Sequence, residues 1–203
     1  MGKIFYIAGK SSSGKDTIYR RLLKEGAGQT PLFTAVPYTT RPMRDGEMNG
    51  REYFFTDEAE LEKLRSQGRV IEERKYMTWY GPWYYFTADD GQIDLRGKNY
   101  LMIGTLESFM AVKKYFGEGR VIPIYIELDD GERLQRALNR ERAQETPKYE
   151  EMCRRFLADA EDFSEEKIRE AGIGRRFYNG ELEECLAQIR SCILEFAGAE
   201  EED

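Results

Sequence analysis

Histidine is absent from this chain of 203 residues. That removes Ser-His triads, Cys-His pairs and His-ligated zinc in one step, so any catalysis must use Lys, Arg, carboxylates, hydroxyls or an oxygen-held metal. Cysteine is scarce: Cys153, Cys185 and Cys192 are the only three. An odd count without paired spacing argues against a disulfide framework. Cys185 and Cys192 share one face of an expected helix, which reads as two buried thiols. No apolar run approaches the ~20 residues of a membrane helix. The N-terminal apolar run is too short for a signal-peptide core and lacks a cleavage site, so the cytoplasm is the expected location. An excess of positive charge is missing too. With a net charge of −7, a broad basic surface for nucleic acid is not expected, and a local basic pocket remains open.

What is present reads as one compact α/β domain with insertions. Residues 3–8 form the expected first strand, followed by a loop and a helix over about 15–25. Pro31–Val36 reads as a second strand. From about 38 to 90 aromatics and charges mix, with turn signals and one helix over about 57–67. Asn99–Gly104 resumes the buried-strand pattern, with a helix over about 105–116. Val121–Leu128 is a strong apolar strand whose Pro123 suggests an edge or irregular position. Helices follow over 130–142, about 147–162 and 180–197, and residues 200–203 form an acidic tail. Alternating strands and helices imply a mostly parallel sheet flanked by helices.

The most informative segment is Gly9–Thr17, GKSSSGKDT. It sits between the first strand and the first helix, the setting of a phosphate-binding P-loop. Such a loop turns at its glycines and aims successive backbone amides at an anion beside a helix N-terminus. Gly9, Ser11, Ser12, Ser13, Gly14, Lys15, Asp16 and Thr17 are the candidate ligands of a nucleoside triphosphate, with Lys15 reaching the outer phosphates. Asp16 stands where Ser or Thr usually follows the lysine. The motif alone leaves kinase, GTPase and ATPase open. No Asn-Lys-x-Asp guanine reader is present, which speaks against a GTPase.

A second constellation spans Thr39–Phe55, TTRPMRDGEMNGREYFF. Arg41 and Arg44, a turn, and a strand carrying Tyr53 can converge on one anion. The residues equally allow a solvated basic loop. The pattern TTRPxRxGExxGxxYxF resembles the monophosphate-binding segment of guanylate kinases. The resemblance covers about residues 3–195 and is strongest from the P-loop through Tyr53. It implies a P-loop NTPase fold with an inserted monophosphate-binding segment at 37–90, a lid at about 131–147, and a core of 1–36, 91–130 and 148–203. It implies phosphoryl transfer from ATP to GMP. Arg41, Arg44, Tyr53 and Tyr80 match the ligands of the acceptor phosphate, and Glu72 matches the carboxylate that contacts guanine. Guanine's Watson–Crick edge offers adjacent N–H donors to a carboxylate, and adenine's does not. Glu72 can also be read as a surface carboxylate on a turn, and Tyr80 as packing among Trp79, Trp83, Tyr84 and Tyr85.

Three positions depart from the family pattern. Pro82 replaces the Ser or Thr after the Tyr-Gly pair, Pro37 replaces a serine before the first arginine, and Gly104 stands where a carboxylate is expected. These leave another nucleotide or small phosphorylated acceptor, or a non-catalytic binding module, as alternatives. Arg133, Arg136 and Arg140 lie on one helix face, a stripe that is ordinarily solvated. By the resemblance Arg140 and Arg142 are lid arginines, Arg155 joins them from the next helix, and Lys15 and Arg41 complete the catalytic set. Asn179 matches an asparagine near the nucleotide base, or is a turn residue before Gly180. The implied cofactors are ATP and Mg²⁺, with Asp16 and Thr17 as metal candidates. The implied partners are nucleotide substrates, with neither nucleic acid nor membrane, and a monomer or homodimer is expected.

Overall fold

A computed structural model describes every residue except 29, 45, 79–80 and 199–203. Its central sheet is five-stranded and parallel. The strands are β1 (Ile4–Ala8), β2 (Leu32–Phe33), β7 (Asn99–Ile103), β8 (Val121–Glu127) and β9 (Arg176–Tyr178), in the order β2-β7-β1-β8-β9. A second sheet holds β3 (Tyr38–Thr39), β4 (Phe54–Phe55), β5 (Val70–Thr78) and β6 (Gly81–Ala88), in the order β4-β3-β6-β5. The helices are α1 (Lys15–Glu25), α2 (Glu58–Ser66), α3 (Leu106–Phe116), α4 (Asp130–Arg142), α5 (Tyr149–Asp162), α6 (Glu165–Glu170) and α7 (Leu182–Ala197).

Strand β1 shows why the run at its N-terminus is continuously apolar. It is the middle strand, paired in parallel with β7 and β8, and all five of its residues are buried. Helices cover both faces, so neither side of the pleat meets water. Period-two alternation splits its side chains. Ile4, Tyr6 and Ala8 join Phe109, Val112 and Ile168 on one face. Phe5 and Ile7 join Ile18, Leu22, Leu186 and Ile189 on the other. A third, smaller cluster of Leu61, Leu64, Tyr84 and Phe86 packs α2 against the inserted sheet.

Several elements depart from the sequence reading. The second strand is only Leu32–Phe33, because its partner β7 offers a two-residue register to it. Strand β8 is interior rather than an edge. Its neighbour β9 pairs only from Tyr125 onward, so Pro123 faces β1 alone and its missing N–H is tolerated. Helix α6 and strand β9 were not anticipated; each is short, and β9 owes its place to pairing with β8. Cys185 and Cys192 are buried as read, and Cys153 is exposed.

Candidate functional site

The loop between β1 and α1 has the backbone of an anion cradle. Ser12 is the one described non-glycine residue with positive φ, at 63°, and Gly14 follows at 92°. Gly14 is the N-cap of α1 and supplies no side-chain cap, so the first-turn amides are left to the loop. A Cβ on Gly14 would overlap the side-chain amide of Asn179. Asn179 therefore lies beneath the loop: its Nδ2 donates to the Ser13 carbonyl at 2.7 Å, and its own carbonyl accepts from Arg136 at 3.1 Å. The buried Ser13 hydroxyl and Asn179 Oδ1 have no hydrogen-bond partner among the described residues.

The arginine stripe of α4 divides: Arg136 and Arg140 are exposed, and Arg133 is not. Arg133 is only 2 % exposed. Its Nε donates to the Ser11 carbonyl at 3.0 Å and its Nη2 to Asp159 at 2.9 Å, while Nη1 pairs with Asp130. Asp159, on α5, also accepts from the Ser11 amide at 2.8 Å. An arginine and a carboxylate from two helices thus clamp one residue of the phosphate loop. Helical spacing showed the stripe; nothing in it revealed that the loop packs on that face, and Asp159 carried no motif. Arg140 reaches the Ser12 hydroxyl at 3.4 Å. Arg140 and Arg155 share a pocket of about 310 Å³ with Ser11 and Ser12, where Arg155 pairs with Glu151 at 2.8 Å. Arg142 is exposed at the end of α4 and does not line that pocket.

A larger cleft of about 650 Å³ opens between the two sheets. Asp16, Tyr53, Glu72, Arg74, Thr87 and Tyr6 are among its walls. Lys15 Nζ lies 3.4 Å from Asp16 Oδ2, which joins the loop to this cleft. Asp16 and Thr17 are both exposed. Glu72 is buried on β5, not on a surface turn. It accepts from Thr87 Oγ1 at 2.9 Å and from Arg74 Nε at 3.2 Å. Burial pushes its carboxyl above the usual range, against the pull of the Arg74 charge.

The two clamp arginines differ. Arg41 is buried and forms a two-pronged pair with Glu47, at 2.7 and 2.5 Å, with its guanidinium over the rings of Tyr53 and Phe55. That pairing drives Glu47 down to about 2. Arg44 is exposed, and its backbone amide donates to Glu47. Tyr80 lies outside the described residues, as does Trp79. At Gly104 the missing carboxylate has a structural cause: any Cβ there would overlap the Tyr6 hydroxyl. No group of three or more Cys, Asp or Glu residues able to hold a metal occurs among the described residues.

A phosphate loop on a parallel sheet, facing a second cleft built by an inserted sheet, defines the P-loop class. The family model described as guanylate kinase matches residues 1–193. A guanylate kinase of Porphyromonas gingivalis is 29 % identical over 199 residues, covering 97 % of this chain and 98 % of that one. A guanylate kinase of Chlorobium chlorochromatii is 35 % identical over 127 residues, covering 62 % and 63 %. The crystal structure of guanylate kinase from Anaplasma phagocytophilum shares the fold, with a TM-score of 0.65 at 20 % identity over 98 % of this chain and 87 % of that one. The chain belongs to the guanylate kinase family.

Proposed function

We propose that this protein transfers the γ-phosphoryl group of ATP to GMP, giving ADP and GDP. The observation that carries this is Glu72: a buried carboxylate, fixed by Thr87 and Arg74, on the wall of a cleft that also reaches Asp16 and the phosphate loop. A carboxylate held there accepts from guanine N1–H and N2–H, and rejects an adenine edge that lacks them. Residues 37–90 act as the monophosphate-binding segment and about 131–147 as the lid.

Phosphoryl transfer asks the protein mainly for in-line positioning and charge neutralisation. Lys15 binds the outer donor phosphates and follows the migrating group. Arg140, Arg142 and Arg155 close from the lid side and offset charge in the transition state, excluding water that would compete as acceptor. Arg41, Arg44, Tyr53 and Tyr80 hold the acceptor phosphate. For Arg41 this requires sharing its fork with Glu47 or releasing it.

The donor set fits Mg²⁺: the Asp16 carboxylate and the Thr17 hydroxyl, both exposed at the loop, would hold it, and no cluster of three or more acidic residues competes for it among the described residues. A metal held by Asp16 and Thr17 would supply charge neutralisation at the donor phosphates. An Asp16→Ala variant with unaltered magnesium dependence removes Asp16 from this role.

Both substrates are cytoplasmic nucleotides, and we place the protein there, as a monomer or homodimer. Among the described residues no helix is long and apolar enough to cross a membrane. The test is a coupled assay with ATP, Mg²⁺ and a panel of monophosphates. Preferred turnover of GMP supports the reading; turnover of another acceptor in its place overturns it.

A further inference from the structure

The base end of the large cleft holds one arginine whose terminal amino groups the phosphate-transfer reading leaves unused. Arg74 stands two residues after Glu72, on the same face of β5. Both line the cleft. The only hydrogen bond of the Arg74 side chain among the described residues is from Nε to Glu72 Oε2. Its two terminal amino groups are therefore free to donate. The side chain is 24 % exposed, so it lies at the cleft wall and not in bulk solvent.

Two neighbouring positions offer no side-chain donor to a base. Pro37 has no N–H. Gly104 has no side chain, and the Tyr6 hydroxyl fills its place while hydrogen-bonding to Ser108. Neither of the other two arginines on the cleft, Arg20 and Arg51, bonds to Glu72. Arg51 binds Glu52 and the Gly46 carbonyl, and Arg20 is exposed on α1, where its Nε donates to the Asp16 carbonyl and not to Glu72.

We propose that Arg74 is a specificity-determining residue that reads the O6/N7 edge of the guanine base, while Glu72 reads N1–H and N2–H. The two chemistries are complementary to one purine. A guanidinium fork matches two adjacent acceptors in the geometry that arginine uses for guanine O6 and N7 elsewhere. Adenine places an N6 amino donor where guanine has O6, and Arg74 repels it. The same Nε bond that orients Glu72 aims the fork, so the pair forms one continuous donor–acceptor strip. This inference rests on the GMP reading above.

The test uses the full chain with ATP, Mg²⁺, GMP, 7-deaza-GMP and AMP, in the unaltered enzyme, Arg74→Ala and Arg74→Lys. The unaltered enzyme is expected to disfavour 7-deaza-GMP, which lacks N7, by about tenfold in kcat/KM. In R74A the KM for GMP rises about tenfold or more, the KM for ATP stays put, and the GMP to 7-deaza-GMP ratio falls to near one. R74K keeps the charge and loses the fork, so it is expected to lose the same discrimination, with a KM for GMP between those of the unaltered enzyme and R74A. If R74A weakens GMP and 7-deaza-GMP equally, Arg74 only orients Glu72 and the inference is wrong. GMP turnover with an unchanged ratio in both variants also overturns the inference alone. No GMP turnover by the unaltered enzyme overturns the kinase reading and the inference together.

Discussion

Replacing Arg133 by methionine tests whether the phosphate loop is held from below by a buried ion pair. The substitution keeps the length and apolar stem of the side chain and removes three donors. The Asp130 end is half-exposed and contributes little in water. The loss concentrates on Asp159, whose carboxylate is 13 % exposed, and on the Ser11 carbonyl. Stripping one partner from a buried pair costs about 3–5 kcal/mol, because the other charge stays buried. Asp159 keeps the Ser11 amide and some water, so the lower end, about 3 kcal/mol, applies. For a domain of this length that is a fall in Tm of about 6–12 °C. The KM for ATP should rise as Ser11 loses its anchor. Differential scanning calorimetry and ATP kinetics read both. The double variant Arg133→Met/Asp159→Asn removes the orphaned charge and is expected to recover part of the loss. An R133M melt within about 2 °C of the unaltered protein, or a double variant worse than both singles summed, refutes the clamp.

Gly104→Ala is expected to destabilise by about 1–3 kcal/mol through overlap with the Tyr6 hydroxyl, and Tyr6→Phe added to it should restore part; an unshifted G104A melt argues against that packing. Thiol titration at pH 8 should find one reactive cysteine in the native protein, the exposed Cys153, and three after denaturation. Burial raises Cys185 to about 11 and Cys192 in the same direction, so a second fast-reacting native thiol contradicts this. Glu47 and Glu151 are held at about 2 by hydrogen bonds from Arg41 and Arg154. A depressed carboxyl stabilises fully above its unfolded value of about 4.5 and loses that contribution as pH falls toward 2. Melting temperature should therefore drop between pH 4.5 and 3, and the gap between the unaltered protein and Glu47→Gln should narrow over that window; a flat profile opposes it. Glu72 runs the other way: raised by burial, it is protonated in the fold at higher pH than a free carboxyl, so GMP affinity should weaken on acidification before ATP affinity does.

Local chemistry made much of this protein legible in its sequence. The phosphate loop is a contiguous segment whose spacing between strand and helix is itself the geometry, so Gly9–Thr17 could be read directly. Strand β1 announced its double-sided burial by having no polar residue, and α7 announced its buried face by helical spacing. Pro37, Pro82 and Gly104 marked the base end as altered, because each removes a side chain or donor outright.

What the tertiary structure decided depends on which faces meet. Periodicity placed Arg133, Arg136 and Arg140 on one face; packing against the loop buried Arg133 and left Arg136 and Arg140 exposed. Asp159 carries no motif, and only the approach of α5 brings it to Ser11. Only the fold lays the Tyr6 hydroxyl against Gly104. Arg74 was one charge among several until the cleft closed around it beside Glu72. The sequence determined the phosphate chemistry, since that resides in backbone turns and neighbouring residues. The partners of each charged group were decided by the fold, since ion pairs between distant segments exist only after the helices and sheets have packed.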